Sequence, residues 1–352
     1  MKNLPLSVYS GGCHEGHIQG VQVDKENGFV YFAFTTMLLK TDFSGNAVGS
    51  VINLAGHLGC ISFDSKRNKI YGSLELKHDI IGSGIMKMTG KQISDEDAFY
   101  LVEFDCASIT KMNMDAEKDN VMKAVYLKDV VLDYSETDEV SDKKHRYGCS
   151  GIDGTSIGPV FGGAEEKIMV AYGIYLETDR TDNDYQVILQ YDISIFEKFG
   201  QSLNQVAPHH SGPEKYEERY FFYTGNTNFG IQNLEYDPFL KTWFVAVYRG
   251  NKPEFKNYLM YFIDGTVPPK NSTLLGRKGE EGLVLTSAKM GEYDEKGVYG
   301  SMFPYGQTGM SSMGDGTFYF SRDLRLLETK EFASEINKYR YTGKDNLFVI
   351  EE

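Results

Sequence analysis

Residues 16–34 read GHIQGVQVDKENGFVYFAF and residues 56–74 read GHLGCISFDSKRNKIYGSL. The second stretch is a copy of the first. Gly16-His17 matches Gly56-His57, Val21 matches Ile61, Asp24 matches Asp64, and Val30-Tyr31 matches Ile70-Tyr71. A unit that recurs inside one chain confines the fold to architectures built by repetition. Within each copy, polar and apolar residues alternate on either side of a turn, the pattern of two antiparallel strands. The first turn carries Asn27-Gly28, and glycine supplies the positive φ that a tight hairpin needs.

Three looser copies follow: YGCSGIDGTSIGPVFGGAEEKIMVAYGIY from Tyr147, NFGIQNLEYDPFLKTWFVAVY from Asn228, and YGQTGMSSMGDGTFYFS from Tyr305. A third strand is predicted after several copies, at residues 37–42, 100–105, 187–192 and 258–264. Each of these ends at an Asp, whose side chain can bond the backbone of the next turn. The unit is then a four-stranded antiparallel meander, and such units repeated radially are the blades of a propeller. Starts near residues 17, 57, 148, 228 and 308 predict five blades.

The expected fold class is therefore all-β, a single β-propeller domain over residues 1–352. The last blade is short of strands, so residues 346–350 are expected as its third strand and residues 4–9 as its fourth. That arrangement closes the ring through the two ends of the chain and removes open edges. A hairpin at residues 283–303 would give a sixth blade as the alternative. Long insertions lie near 78–97, 106–146 and 196–218. They read either as solvated loops or as a lid over the propeller mouth, because loops on a rigid scaffold often build sites.

The chain resembles five-bladed β-propeller proteins in this repeat architecture, over most of its length. Many propellers of this size handle carbohydrates, the arabinanase-like glycosidases among them; others are lectins or calcium-dependent nucleotidases. The resemblance is one of fold, and function has to be argued from the site.

Composition narrows the partners. The chain holds 36 basic and 50 acidic residues, a net charge of -14, with no basic run longer than Lys143-Lys144-His145-Arg146, whereas a nucleic-acid binder normally carries a basic face that neutralises phosphates. No nucleic acid and no membrane surface are expected as partners; a small molecule or oligosaccharide is. No run approaches the ~20 apolar residues of a membrane span. The start, MKNLPLSVYSGG, has no apolar signal region, which reads as cytoplasmic and leaves an exported mature chain open. Cys13, Cys60, Cys106 and Cys149 form no CxxC pair and are expected as free, mostly buried thiols.

The innermost strands of a propeller line its axis, so their first residues are the candidate site: His17, His57, Gly148-Cys149-Ser150, Asn228 and Thr308. Two imidazoles at equivalent repeat positions can move protons, hold waters or bind a metal. Second strands are expected to end at the same mouth. Alternation there puts Glu75 with Lys77, and Tyr175 with Glu177, on one face.

The candidate catalytic set is His17, His57, Glu75 and Glu177. The candidate substrate-binding set is Lys77, Tyr147, Asp153, Asn228, Arg249 and Tyr305. Carboxylates with a cation and tyrosines around a concave mouth suit a sugar-like ligand. The expected function is a carbohydrate-active enzyme. Hydrolysis needs two carboxylates. A lyase needs a base, for which His17, His57, His145 and Tyr147 are available, and a group that neutralises a uronate, for which Arg249 or Lys77 is available. The alternatives are a lactonase-like hydrolase with an axial divalent cation such as calcium, and a non-catalytic propeller that binds glycan or protein.

Overall fold

The computed structural model describes residues 3–173, 180, 182, 184–225, 228–343 and 346–352. Five small, mainly antiparallel sheets stand in a ring, one for each predicted blade. Their innermost strands are Ile18–Asp24, His57–Asp64, Gly151–Pro159, Ile231–Asp237 and Met310–Ser312. Each pairs outward with a second strand: Phe29–Phe34, Lys69–Leu76, Glu166–Gly173, Thr242–Val247 and Thr317–Leu326. Neighbouring inner strands touch in chain order, and the fifth touches the first.

Alternation explains the packing. Successive side chains of a strand point to opposite faces, so each blade presents one apolar face to the blade before it and another to the blade after. Ile70 and Leu74 pack towards blade 1, while Tyr71 of the same strand packs towards blade 3. The buried apolar residues accordingly fall into five clusters, one at each interface between blades. Cys60, Cys106 and Cys149 are buried free thiols, and Cys13 is partly exposed.

The ring closes at the fifth blade in a way that refines the expectation. Its third strand is Glu331–Tyr341, which the repeat reading passed over. Both chain ends occupy the fourth position, in tandem along that one edge. Ser7–Tyr9 pairs with Glu335–Asn337, and Phe348–Ile350 pairs with Tyr339–Tyr341. Residues 283–303 build no sixth blade. Glu281–Val284 extends blade 3, and Glu292–Tyr293 with Tyr299–Ser301 completes blade 4.

Two of the three insertions are clamps. Met114–Asp115, from the insertion 106–146, adds a parallel strand to the outer edge of blade 1. The segment 196–218 docks on blade 2 through a bridge between Ala124 and Gln201. Only the first insertion reaches the axis. It folds as helix Ile80–Thr89, capped at its start by Asp79, whose Oδ1 accepts from Gly82 N at 2.8 Å.

Candidate functional site

A β-bulge recurs near the start of the inner strand in four of the five blades. The register slips between Ile18 and Gly20, Leu58 and Ile61, Gly151 and Gly154, and Ile231 and Asn233. A bulge inserts one unpaired residue and re-aims its side chain. The bulged residues include Gln19, Asp153 and Gln232, and all three line one cavity at the axis, of about 310 Å³.

In blade 2 the bulge falls on Gly59 and Cys60, and the polar groups come from beside it. His57 lies directly across from Glu75 in the strand register. Glu75, Lys77, His57 and His17 all line the cavity. Beneath it, Asn233 Nδ2 donates to the carbonyls of Gln19 and Gln307, both at 2.8 Å, and Gln22 Nε2 donates to Glu235 at 3.2 Å. These bonds tie blades 1, 4 and 5 together across the axis.

The carboxylates are seated against glycines. Gly151 and Gly173 face each other across strands. A Cβ on Gly151 would lie 2.3 Å from Glu75 Oε1, and one on Gly173 2.3 Å from Asp153 Oδ2. Glu75 is 2% exposed and both of its oxygens are engaged. Oε2 lies 2.7 Å from Lys77 Nζ, and Oε1 accepts from Ile152 N. Lys77 also lies 3.3 Å from Asp79 and donates to the Ser150 carbonyl at 2.9 Å. Burial opposes its charge, but Glu75 and Asp79 outweigh burial and hold the ammonium well above its ordinary pKa.

Asp153 has no such partner. Its Oδ2 accepts from Gln232 at 3.2 Å, and its Oδ1 lies 3.5 Å from His57 Nδ1. Burial first, and the Glu75 charge second, push its carboxyl up to about 7. His57 is pushed below its ordinary value by burial and by Lys77, against the pull of Glu75 and Asp79. Its Nδ1 is buried and makes no hydrogen bond. His17 is likewise lowered, by burial and by His57, but both its nitrogens are used. Nδ1 donates to the Ile18 carbonyl at 3.0 Å, and Nε2 accepts from Gln19 at 2.9 Å.

One atom each of His57, Glu75 and Asp153 lies within 4.8 Å of the others, a set that could hold a metal ion. The donors do not fit a divalent cation. Glu75 has no uncommitted oxygen, and the Lys77 ammonium already stands against the one that faces His57. A divalent cation here, such as the axial calcium expected as an alternative, would have to share the Glu75 oxygen that Lys77 already holds.

Of the ten candidate residues, His17, His57, Glu75, Lys77 and Asp153 meet in this cavity. Glu177 lies outside the described residues. Tyr147 sits in blade 3, buried among Arg146, Arg219 and Arg277, with its hydroxyl bonded to Glu280. Asn228 is buried and accepts from Asn251 N at 2.6 Å. Tyr305 packs on Phe303 and Tyr339. Arg249 is exposed. None of these four lines the cavity, and His145 does not either: its Nδ1 bonds the Tyr134 carbonyl at 2.7 Å.

Gln19, Gln232 and the face of the inserted helix were missed from sequence. The signal was present in the aligned starts GHIQG, GHLGC, SGIDG and FGIQN, where the fourth position reads Gln19, Gly59, Asp153 and Gln232. In the last of them the same place is the bulge at Gln232.

No known protein family and no curated protein matches the sequence. Solved structures align with this chain at low similarity. The holo PQQ domain of a pyranose dehydrogenase from Coprinopsis cinerea aligns with a TM-score of 0.40 and 11% identity, over 91% of this chain and 82% of that one. A calcium structure of a Trichoderma reesei carbohydrate-active enzyme of family AA12 gives 0.40 and 9%, over 90% and 80%. The Dos1 propeller gives 0.35 and 10%, over 95% and 81%. Likenesses of this size carry no argument about chemistry. No helix among the described residues is long and apolar enough to cross a membrane.

Proposed function

We propose that the chain is a carbohydrate-active enzyme of the hydrolase type, working by proton transfer in the axial cavity on a small, uncharged sugar derivative. The observation that supports this reading is the unlike pair of carboxylates beside one imidazole. Glu75 is held at 2.7 Å by the Lys77 ammonium, whereas Asp153 is pushed up to about 7 and faces His57 at 3.5 Å. Two carboxylates in such unlike surroundings, one paired with a lysine and one not, suit the roles of fixed partner and proton donor.

In this reading Asp153 gives its proton to the leaving oxygen as the bond to carbon breaks. Neutral His57 takes a proton from the incoming water, whose hydroxide adds to that carbon. The imidazolium then returns the proton to Asp153, and both groups are restored. Glu75, with both oxygens engaged, stabilises the transient imidazolium and does not attack. His17, Gln19 and Gln232 position the ligand. A lyase acting on a uronate has less support, because Lys77 is committed and Arg249 lies outside the cavity.

The test is hydrolysis of a panel of neutral glycosides, sugar esters and sugar lactones by the parent, His57→Ala and Asp153→Asn. Each substitution is expected to cost about 10²–10⁴-fold in kcat, with circular dichroism unchanged. Folded variants as active as the parent, or a panel left wholly untouched, would overturn the proposal.

A further inference from the structure

One wall of the cavity is unlike the rest. The floor is polar and comes from blades 1 to 4, blade 5 adds Phe332, and the wall on the blade 2 side is helix Ile80–Thr89. Ile80, Ile81, Gly84, Ile85 and Met88 of that helix line the cavity. Their spacing puts them on one side of a helix. The opposite side is anchored, with Met86 packed on the core between blades 1 and 2. Ile85 is 5% exposed and fixes the base of the apolar face, yet Ile80 is 81% exposed and Met88 43%. In the middle of that face sits Gly84, and a Cβ built there meets nothing within 4 Å. The face is a row of apolar side chains with a notch at its centre, open to a cavity that carries acid–base groups on its floor.

We infer that the ligand is amphiphilic, with an alkyl group seated in the Gly84 notch against Ile80, Ile81 and Met88 while its polar part meets His57 and Asp153. The occupant follows from continuity: the apolar face and the polar floor bound one volume of about 310 Å³, which fits a small molecule and not a protein segment. The helix is also tied to the floor, because Asp79 caps it through Oδ1 and approaches Lys77 through Oδ2. The apolar face is thereby held in register with the reacting groups. Gly84, Ile80 and Met88 determine specificity and are not catalytic residues. The inference rests on the proposed site for its location but not on the sugar assignment.

The experiment is calorimetric titration with two homologous series, methyl to octyl glucosides and propane- to octane-1,2-diols. Affinity is expected to rise about two- to fourfold per methylene in both series, up to the chain length that fills the notch. Gly84→Leu fills the notch from within and is expected to abolish the dependence on chain length. Ile80→Ser/Met88→Ser, which alters exposed positions only, is expected to flatten it even if Gly84→Leu does not fold. Affinity independent of chain length in the parent, or a slope unchanged in the folded variants, overturns the inference. Diols that follow the slope while glucosides bind no better than diols would leave the apolar site standing and count against the sugar reading alone.

Discussion

Asp153 Oδ1 lies 3.5 Å from His57 Nδ1, on the bulge of one blade and at the first strand residue of the next. Neither group has a counter-charge of its own at hydrogen-bonding distance, and burial drives both towards their neutral forms. The Asp153 carboxyl, pushed up to about 7, holds a proton in the folded chain that the unfolded chain has already lost above the ordinary value of 3.8. Between those two values the folded state binds more protons, so stability from this group falls as pH rises through the window and levels off above it. Activity that needs the protonated acid should fall along the same upper limb. Asp153→Asn is expected to reduce the decline in stability, measured by urea denaturation from pH 4 to 8, and to leave the part that comes from Glu235, whose carboxyl burial pushes up to about 8. A decline of equal size in the parent and in Asp153→Asn would place the proton elsewhere.

How much of this was legible in the sequence follows from the same two residues. The repeat of Gly16-His17 and Gly56-His57 set the blade starts, because each blade must bury the same faces and so keeps the same period. Which polar residue faces the axis was harder to read. A bulge slips the alternation by one residue just where the inner strand meets the cavity, so Gln19 and Gln232 escaped a strict period-two reading. Strand ends misled for a related reason. Tyr248 reaches the cavity and Arg249, one residue on, is exposed. The closing strand Glu331–Tyr341 was overlooked because half of it stands outside the core and carries polar residues on both faces.

Lys77 and Glu75 form a buried ion pair at 2.7 Å. Replacing one partner strands the other charge away from water, at a cost of about 3–5 kcal/mol. Lys77→Met is expected to destabilise by that order in urea denaturation, and Glu75→Gln/Lys77→Met to recover a large part of it. A double variant no more stable than Lys77→Met would show that Lys77 acts through its packing and its bonds to Ser150 and Asp79, not through the charge of Glu75.

The same ion pair decides the response to metals. With both Glu75 oxygens engaged, millimolar calcium or manganese is expected to leave the melting temperature unmoved, and a chelator to leave turnover unmoved. A ligand that binds only the folded state stabilises it by about 2.7 kcal/mol at a hundred times its Kd, so thermal melts would register even a weak site. A melting temperature that climbs with metal concentration in the parent but not in His57→Ala would show that Glu75 gives up Lys77 for a cation.

Two glycines of the inserted helix, two residues apart, should respond in opposite senses to the same change. A Cβ on Gly82 would lie 1.7 Å from the Lys77 carbonyl oxygen, whereas one on Gly84 meets nothing within 4 Å. Gly82 lets the first turn of the helix settle on the backbone of Lys77, where Asp79 can both cap the helix and reach the ammonium. Gly82→Ala forces that turn away, at a cost of about 1–3 kcal/mol, and should lower kcat by loosening the wall from the floor. Gly84→Ala keeps the backbone where it is and narrows the choices of the unfolded chain, for a gain of about 0.4–1 kcal/mol. Global denaturation can miss a helix that opens by itself, so the measurement is hydrogen exchange of the amides from Ser83 to Thr89. Protection is expected to drop in Gly82→Ala and to rise in Gly84→Ala. Equal effects in the two variants would mean that the helix is not seated on Lys77 as the close approach at Gly82 requires.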